Sequence, residues 1–291
     1  MPLLAAALIL LQTQAPTPNP SLRARVEARI AQAPAGAHSV GVYYRDLATG
    51  DSLTVGSAVR FHAASTMKIP VMIQLFRDRD ARLLSLDDSI VVTNTFRSIV
   101  DSSPYQLDVT DDSDSSLYKR VGRRASIREL IELMETVSSN LATNLLITKV
   151  DAKRANATAH ALGADSILVL RGVEDGKAYQ AGLNNTTTAR DLGMLLAAIA
   201  NGKAATAASC RDMLAILGRQ QFNEGIPAGL PAGTRVYHKT GWVGKVVYHD
   251  AALVEPVGRG RYVLVVLTGK IEKEEDAHAL VRDISRLVFN R

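Results

Sequence analysis

A chain of 291 residues that is 47% hydrophobic and 22% charged has the size and balance of one large globular domain, or two interleaved ones, with a sizeable core. The formal charge of +5 is spread thinly, and the densest basic cluster, Lys119 to Arg124, has no interleaved aromatics, which excludes nucleic acid as a partner. Cys210 is the only cysteine, so no internal disulfide and no cysteine-rich metal centre is possible, and no His-Glu-x-x-His pattern is present; no metal or other cofactor is expected.

In chain order, Leu3 to Leu11 is an uninterrupted apolar run followed by the polar, Pro-rich Gln12 to Pro20. The run is too short to span a bilayer and fits the apolar part of a signal peptide, although no Lys or Arg precedes it. Residues 1–20 are therefore expected to be a signal peptide and linker on a secreted or periplasmic protein without a stable membrane span. Leu22, Val26 and Ile30 recur at helical spacing. Val40, Val42 and Tyr44 alternate up to Asp46, and Leu53 to Val55 resume beyond a turn, which predicts a β-hairpin. Phe61 to Ile73 reads as a helix starting near Ser65, because Pro70 is tolerated only in a first turn. Residues 86–125 are turn-rich, and the acidic cluster Asp108, Asp111, Asp112 and Asp114 lacks the Gly and terminal Glu of a calcium loop, so it is expected to be solvated.

Ser126-Ile127-Arg128-Glu129 is a capping box that opens a helix through Val137. After the polar break Ser138-Ser139-Asn140, a second helix runs through Leu146. Thr188 caps another helix, which ends at Asn201-Gly202. Strands are expected at Val236 to Lys239, Val246 to Val254 and Tyr262 to Thr268, joined by turns short enough to make them antiparallel. A final helix carries Glu274, Glu275 and Asp276 at its positive end. Together with the hairpin these strands predict an α/β (α+β) protein. A five-stranded antiparallel sheet flanked by helices would form from residues 21–85 and 190–291, with an all-helical lobe, 86–189, inserted.

Three short motifs stand in order along this framework: Ser65-Thr66-Met67-Lys68 at a helix head, Ser138-Ser139-Asn140 between helices, and Lys239-Thr240-Gly241 at the end of a strand. On a helix, Ser65 and Lys68 share one face, where an amine can activate a hydroxyl; alone, the pair is more often a capping Ser and a snorkelling Lys. As an ordered set the three motifs resemble those of the class A β-lactamases and related penicillin-recognising serine hydrolases, over a span from about Leu22 to the C-terminus. The resemblance implies a β-lactamase/transpeptidase-like fold and an acyl-enzyme on Ser65. It also implies that Lys68 accepts the Ser65 proton and that Ser138 relays a proton to the departing nitrogen. Asn140 would bind the substrate amide, and Lys239 and Thr240 its carboxylate. The backbone N–H groups of Ser65 and Trp242 would form the oxyanion hole, and Gly241 belongs with them to the substrate-binding set.

Two departures stand out. Ser139 replaces the usual Asp of the middle motif. The family's Glu-x-x-Leu-Asn loop, whose Glu activates the deacylating water, is also altered. Aligning Leu183-Asn184 puts Gln180 at the Glu position, and an amide is no general base. Aligning on Arg171 and Thr186 to Thr188 instead makes Glu174 the base, without the Leu-Asn spacing. Both alignments remain open on sequence, as does a plain surface-loop role for Glu174. His249 reads either as a carboxylate contact or as a structural residue, and Trp242 is expected to narrow the cleft. The implied functions are a serine β-lactamase or, alternatively, a D-alanyl-D-alanine carboxypeptidase of the penicillin-binding type. The implied partner is a β-lactam or a peptidoglycan stem peptide bound by a monomer.

Overall fold

The computed structural model describes residues 20–34 and 39–291; the expected signal segment lies outside them. Strands β1 (Ser39–Asp46) and β2 (Ser52–Val55) form the expected hairpin, its turn closed by Asp46 Oδ1, which accepts from the N–H groups of Ala48 and Thr49. Strands β3 (Arg235–Val243), β4 (Val247–Glu255) and β5 (Tyr262–Gly269) complete a five-stranded sheet in the order β2-β1-β5-β4-β3. Every pairing is antiparallel, and the last strand is central, with Val266 opposite both Val42 and Asp250.

Alternation along these strands splits the side chains between two cores. Tyr44, Ala252, Leu264 and Val266 face helices α1 (Leu22–Ala31) and α9 (Glu274–Phe289). Tyr43, Ala251, Val263 and Val265 face the other way, into a cluster that also contains Leu75, Met134, Leu146 and Leu195. That cluster holds together α2 (Lys68–Asp80), α3 (Ile127–Thr136), α4 (Asn140–Val150), α5 (Ala152–Ala161), α7 (Ala189–Ala200) and α8 (Ala207–Leu217), while the short α6 (Gly176–Gln180) contributes no residue to it. Helix α2 is its axis: Ile69, Val71, Met72, Ile73, Leu75 and Phe76 are all fully buried, as expected for a helix that is apolar nearly all round. No helix among the described residues is long and apolar enough to cross a membrane.

The structure corrects three local expectations. Ser65 lies in a 3-10 turn, Ala64–Met67, and the α-helix begins only at Lys68; the Ala63 carbonyl accepts from both N–H and Oγ1 of Thr66 and tightens the turn. Lys239-Thr240-Gly241 lies within β3 rather than at its end, because the ladder continues through Gly241–His249 and Trp242–Tyr248. The acidic cluster is not merely solvated. The half-buried Asp112 carboxylate accepts from the N–H groups of Asn140 and Leu141 at 2.9 Å and so caps α4 from another part of the chain.

Candidate active site

Each motif reaches one cleft because of how its own element starts or stops. Ala64 holds φ at +47° and its N–H donates to His62 Nδ1, which lifts the half-buried Ser65 out of the turn at the cleft floor. Three residues on, Lys68 is fully buried. Helix α3 ends before Ser138, which takes φ +59°, and Ser139 caps α4 by accepting from Ala142 N–H. A serine thus performs the capping at the position where Asp is usual. Left-handed backbone at a non-glycine residue is strained, and here it turns Ser138 Oγ in between the two buried lysines.

Lys68 Nζ lies 2.7 Å from Ser138 O, 3.0 Å from Ser138 Oγ and 3.2 Å from Asn140 Oδ1. None of these bonds goes to Ser65. Lys239 Nζ, also fully buried, is 3.1 Å from the same Ser138 Oγ and 3.0 Å from Thr240 O. Burial, and then the Lys239 charge, push the Lys68 pKa well below its ordinary value, against the pull of Asp112, Glu135 and Glu174. Burial also lowers Lys239, but Glu135 and Asp250 hold it up. A neutral Lys68 has a lone pair to offer. In the structure both Lys68 Nζ and Lys239 Nζ reach the one Ser138 Oγ, which accepts from both.

The structure brings Glu174, and not Gln180, to this cleft. Glu174 Oε1 accepts from Asn140 Nδ2 at 2.9 Å and Oε2 from Asp108 N–H at 3.1 Å, whereas Gln180 is exposed at the end of α6. Burial, the largest effect on it, raises the Glu174 pKa. The loop that carries it is pinned from several sides. Asn144 Oδ1 accepts from Val173 N–H and its amide donates to Val173 O; Gly172 passes so close that a Cβ there would lie 2.3 Å from Asn144 Oδ1. Asn185 holds the N–H groups of Leu170 and Arg171, and Asp175 holds Ser98 Oγ and Ile99 N–H. Asn184 Oδ1 accepts from Arg171 Nη2, so the Leu183-Asn184 pair serves the loop's base rather than the cleft.

Ser65, Ser138, Asn140, Glu174, Thr240 and Trp242 all line a cleft of about 880 Å³, with Lys68 and Lys239 beneath its floor. Trp242 stands 55% exposed at the rim, consistent with narrowing of the entrance. Gly241 lets β3 approach the nucleophile turn: a Cβ there would sit 3.2 Å from Ser65 N and 3.1 Å from Thr66 Cγ2. His249 does not reach the cleft. It is fully buried beside Phe61, with Nε2 on His62 O and Nδ1 accepting from Thr268 N–H. Sequence reading missed Asn144, the capping role of Asp112, and Glu135. A signal for the last exists, since Glu135 stands four residues after Ile131 on the apolar face of α3.

A model of the Beta-lactamase enzyme family matches residues 21–291. The chain belongs to that family. It is 29% identical over 252 residues to Beta-lactamase 1 of Streptomyces cacaoi, covering 82% of this chain and 74% of that protein. The solved β-lactamase of Sphaerobacter thermophilus is 29% identical and superposes with a TM-score of 0.78 over 91% of this chain and 95% of its own. A mutant of PBP-A, solved as its acyl-enzyme complex with penicillin-G, is 28% identical with a TM-score of 0.77, over 92% and 95% respectively. The β-lactamase/transpeptidase-like fold expected from the motifs is therefore the fold of this chain.

Proposed function

We propose that this protein is a serine β-lactamase, opening the lactam amide through an acyl-enzyme on Ser65. The observation that carries the reading is the meeting of Lys68 Nζ and Lys239 Nζ on one Ser138 hydroxyl, at 3.0 and 3.1 Å, beside Ser65 in the same cleft. Neutral Lys68 takes the Ser65 proton as the hydroxyl attacks the lactam carbonyl. Ser138 then passes a proton to the departing nitrogen, drawing it through Lys68. Lys239 and Thr240 bind the substrate carboxylate, and Asn140 binds the side-chain amide. The N–H groups of Ser65 and Trp242 receive the developing oxyanion, with Gly241 setting their spacing. Glu174 activates the water that releases the acyl group.

The alternative is a D-alanyl-D-alanine carboxypeptidase acting on peptidoglycan stem peptides. It is favoured by Asn184 being bound to Arg171, which leaves Glu174 without the family's second water-holding group. We further propose export from the cell as a monomer, and a division into a discontinuous α/β lobe (21–85 and 190–291) and a helical lobe (86–189) with the cleft at their junction. A chromogenic cephalosporin with the purified protein tests the main reading. Sustained hydrolysis that disappears in Ser65→Ala supports it. A stoichiometric burst followed by a stall favours the peptidase, and hydrolysis that survives Ser65→Ala overturns both.

A further inference from the structure

Helix α4 starts on Asn140, with Ser139 as its cap. A helix head leaves four N–H groups without an internal partner, here those of Ser139, Asn140, Leu141 and Ala142, and all four are bound. Ser139 N–H donates to Leu133 O at 3.0 Å, and Ala142 N–H to Ser139 Oγ at 3.3 Å. The middle two go to Asp112. Both of its oxygens lie 2.9 Å from Asn140 N, and Oδ2 is also 2.9 Å from Leu141 N. A capping side chain reaches the second or third N–H of its own helix, not the first. The N–H of Asn140 is the first, so no residue at position 139 could hold it; the acceptor has to come from another segment.

Asp112 is itself fixed for that task. Tyr118 Oη donates to its Oδ2 at 3.0 Å and Asp114 N–H to its Oδ1 at 3.1 Å, and the neighbouring Leu117 is fully buried. It also supplies a negative charge to the positive end of α4, which the neutral Ser139 does not. The residue it grips is the one whose side chain spans the cleft, with Asn140 Oδ1 3.2 Å from Lys68 Nζ and Nδ2 2.9 Å from Glu174 Oε1. We propose that Asp112 is a positioning residue for acylation: by anchoring the Asn140 backbone, it aims the Asn140 side chain at Lys68 and at the substrate amide. This rests on the acylation reading above.

Two variants separate positioning from simple capping. In Asp112→Ala, Ser65 acylation by benzylpenicillin, measured well below the melting temperature, should fall about 10-fold or more, as expected when a substrate-binding group drifts by a fraction of an ångström. Adding Ser139→Asp restores an acid that can bond Leu141 or Ala142 N–H but not Asn140 N–H. The double variant should therefore regain melting temperature while acylation stays low. Unchanged acylation in Asp112→Ala, or acylation that returns together with stability in the double variant, overturns the proposal. If neither variant folds, Asp112→Glu decides, because it keeps the charge and displaces the carboxylate: acylation at the wild-type rate overturns the proposal. Should the wild type not acylate at all, the acylation reading falls, and NMR still judges Asp112 separately. The side-chain amide resonances of Asn140 should shift in Asp112→Ala or Asp112→Glu, and resonances that stay in place overturn the anchoring.

Discussion

Replacing Glu174 by Gln separates the two halves of the proposed reaction. Acylation draws on Ser65, Lys68, Ser138 and Lys239, and should survive. Deacylation loses its general base, a loss typically worth about 10²- to 10⁴-fold, or roughly 3 to 5 kcal/mol in the barrier. The structure adds a second cost. Glu174 accepts two hydrogen bonds, from Asn140 Nδ2 and Asp108 N–H, and Gln can accept only one of them. Asn140 cannot turn its amide over to compensate, because its Oδ1 is the partner of Lys68. One donor is left facing another, so the variant should also lose about 1–3 kcal/mol of stability.

The assay is intact-protein mass after mixing with benzylpenicillin, followed over time. The wild type should return to its free mass quickly, and Glu174→Gln should accumulate a one-to-one acyl-enzyme. The pH profile gives a further check. Glu174 works as the carboxylate, and burial raises its pKa, so wild-type deacylation should fall as pH drops through a midpoint above that of an ordinary Glu. That limb should vanish in the variant. Equal loss of acylation and deacylation, or full turnover by Glu174→Gln, would refute the reasoning.

Gly241→Ala should push a methyl against Ser65 N and Thr66 Cγ2, contacts of 3.2 and 3.1 Å. Overpacking of this kind costs about 1–3 kcal/mol, and a displaced oxyanion site about 10²-fold in acylation; a melting curve with stopped-flow acylation measures both. His249 is buried as a neutral ring whose pKa is pushed down to about 4 by desolvation, which suits a ring that donates from Nε2 and accepts at Nδ1. Because the unfolded ring titrates near 6.5, the unfolded chain binds the extra proton between those values, so stability is intact above that window and lost as pH falls through it. The loss is at most about 3 kcal/mol, and thermal melts of wild type and His249→Gln from pH 7 to 4 should show a shallower slope in the variant. Asp112→Ala removes the carboxylate that caps α4 at Asn140 and Leu141, and should cost about 1 kcal/mol in a denaturant titration.

The sequence by itself determined the short-range features. The caps at Ser126 and Thr188 and the helical and strand periods are set by neighbours within a few residues and form as read; the three motifs were legible in the same way, although Ser65 sits in a 3-10 turn and Lys239 inside β3. The capping box is only half realised, because Glu129 turns to Arg120 rather than back to Ser126. Tertiary structure alone decided the rest. It placed β5 at the centre of the sheet, and it brought Glu174 rather than Gln180 to line the cleft by pinning their loop with Asn144, Asn185 and Asp175. Asp112, remote in sequence, became the cap of α4. The physical reason is common to all three: hydrogen bonds and charges between distant segments act only after packing has joined those segments and removed the water between them.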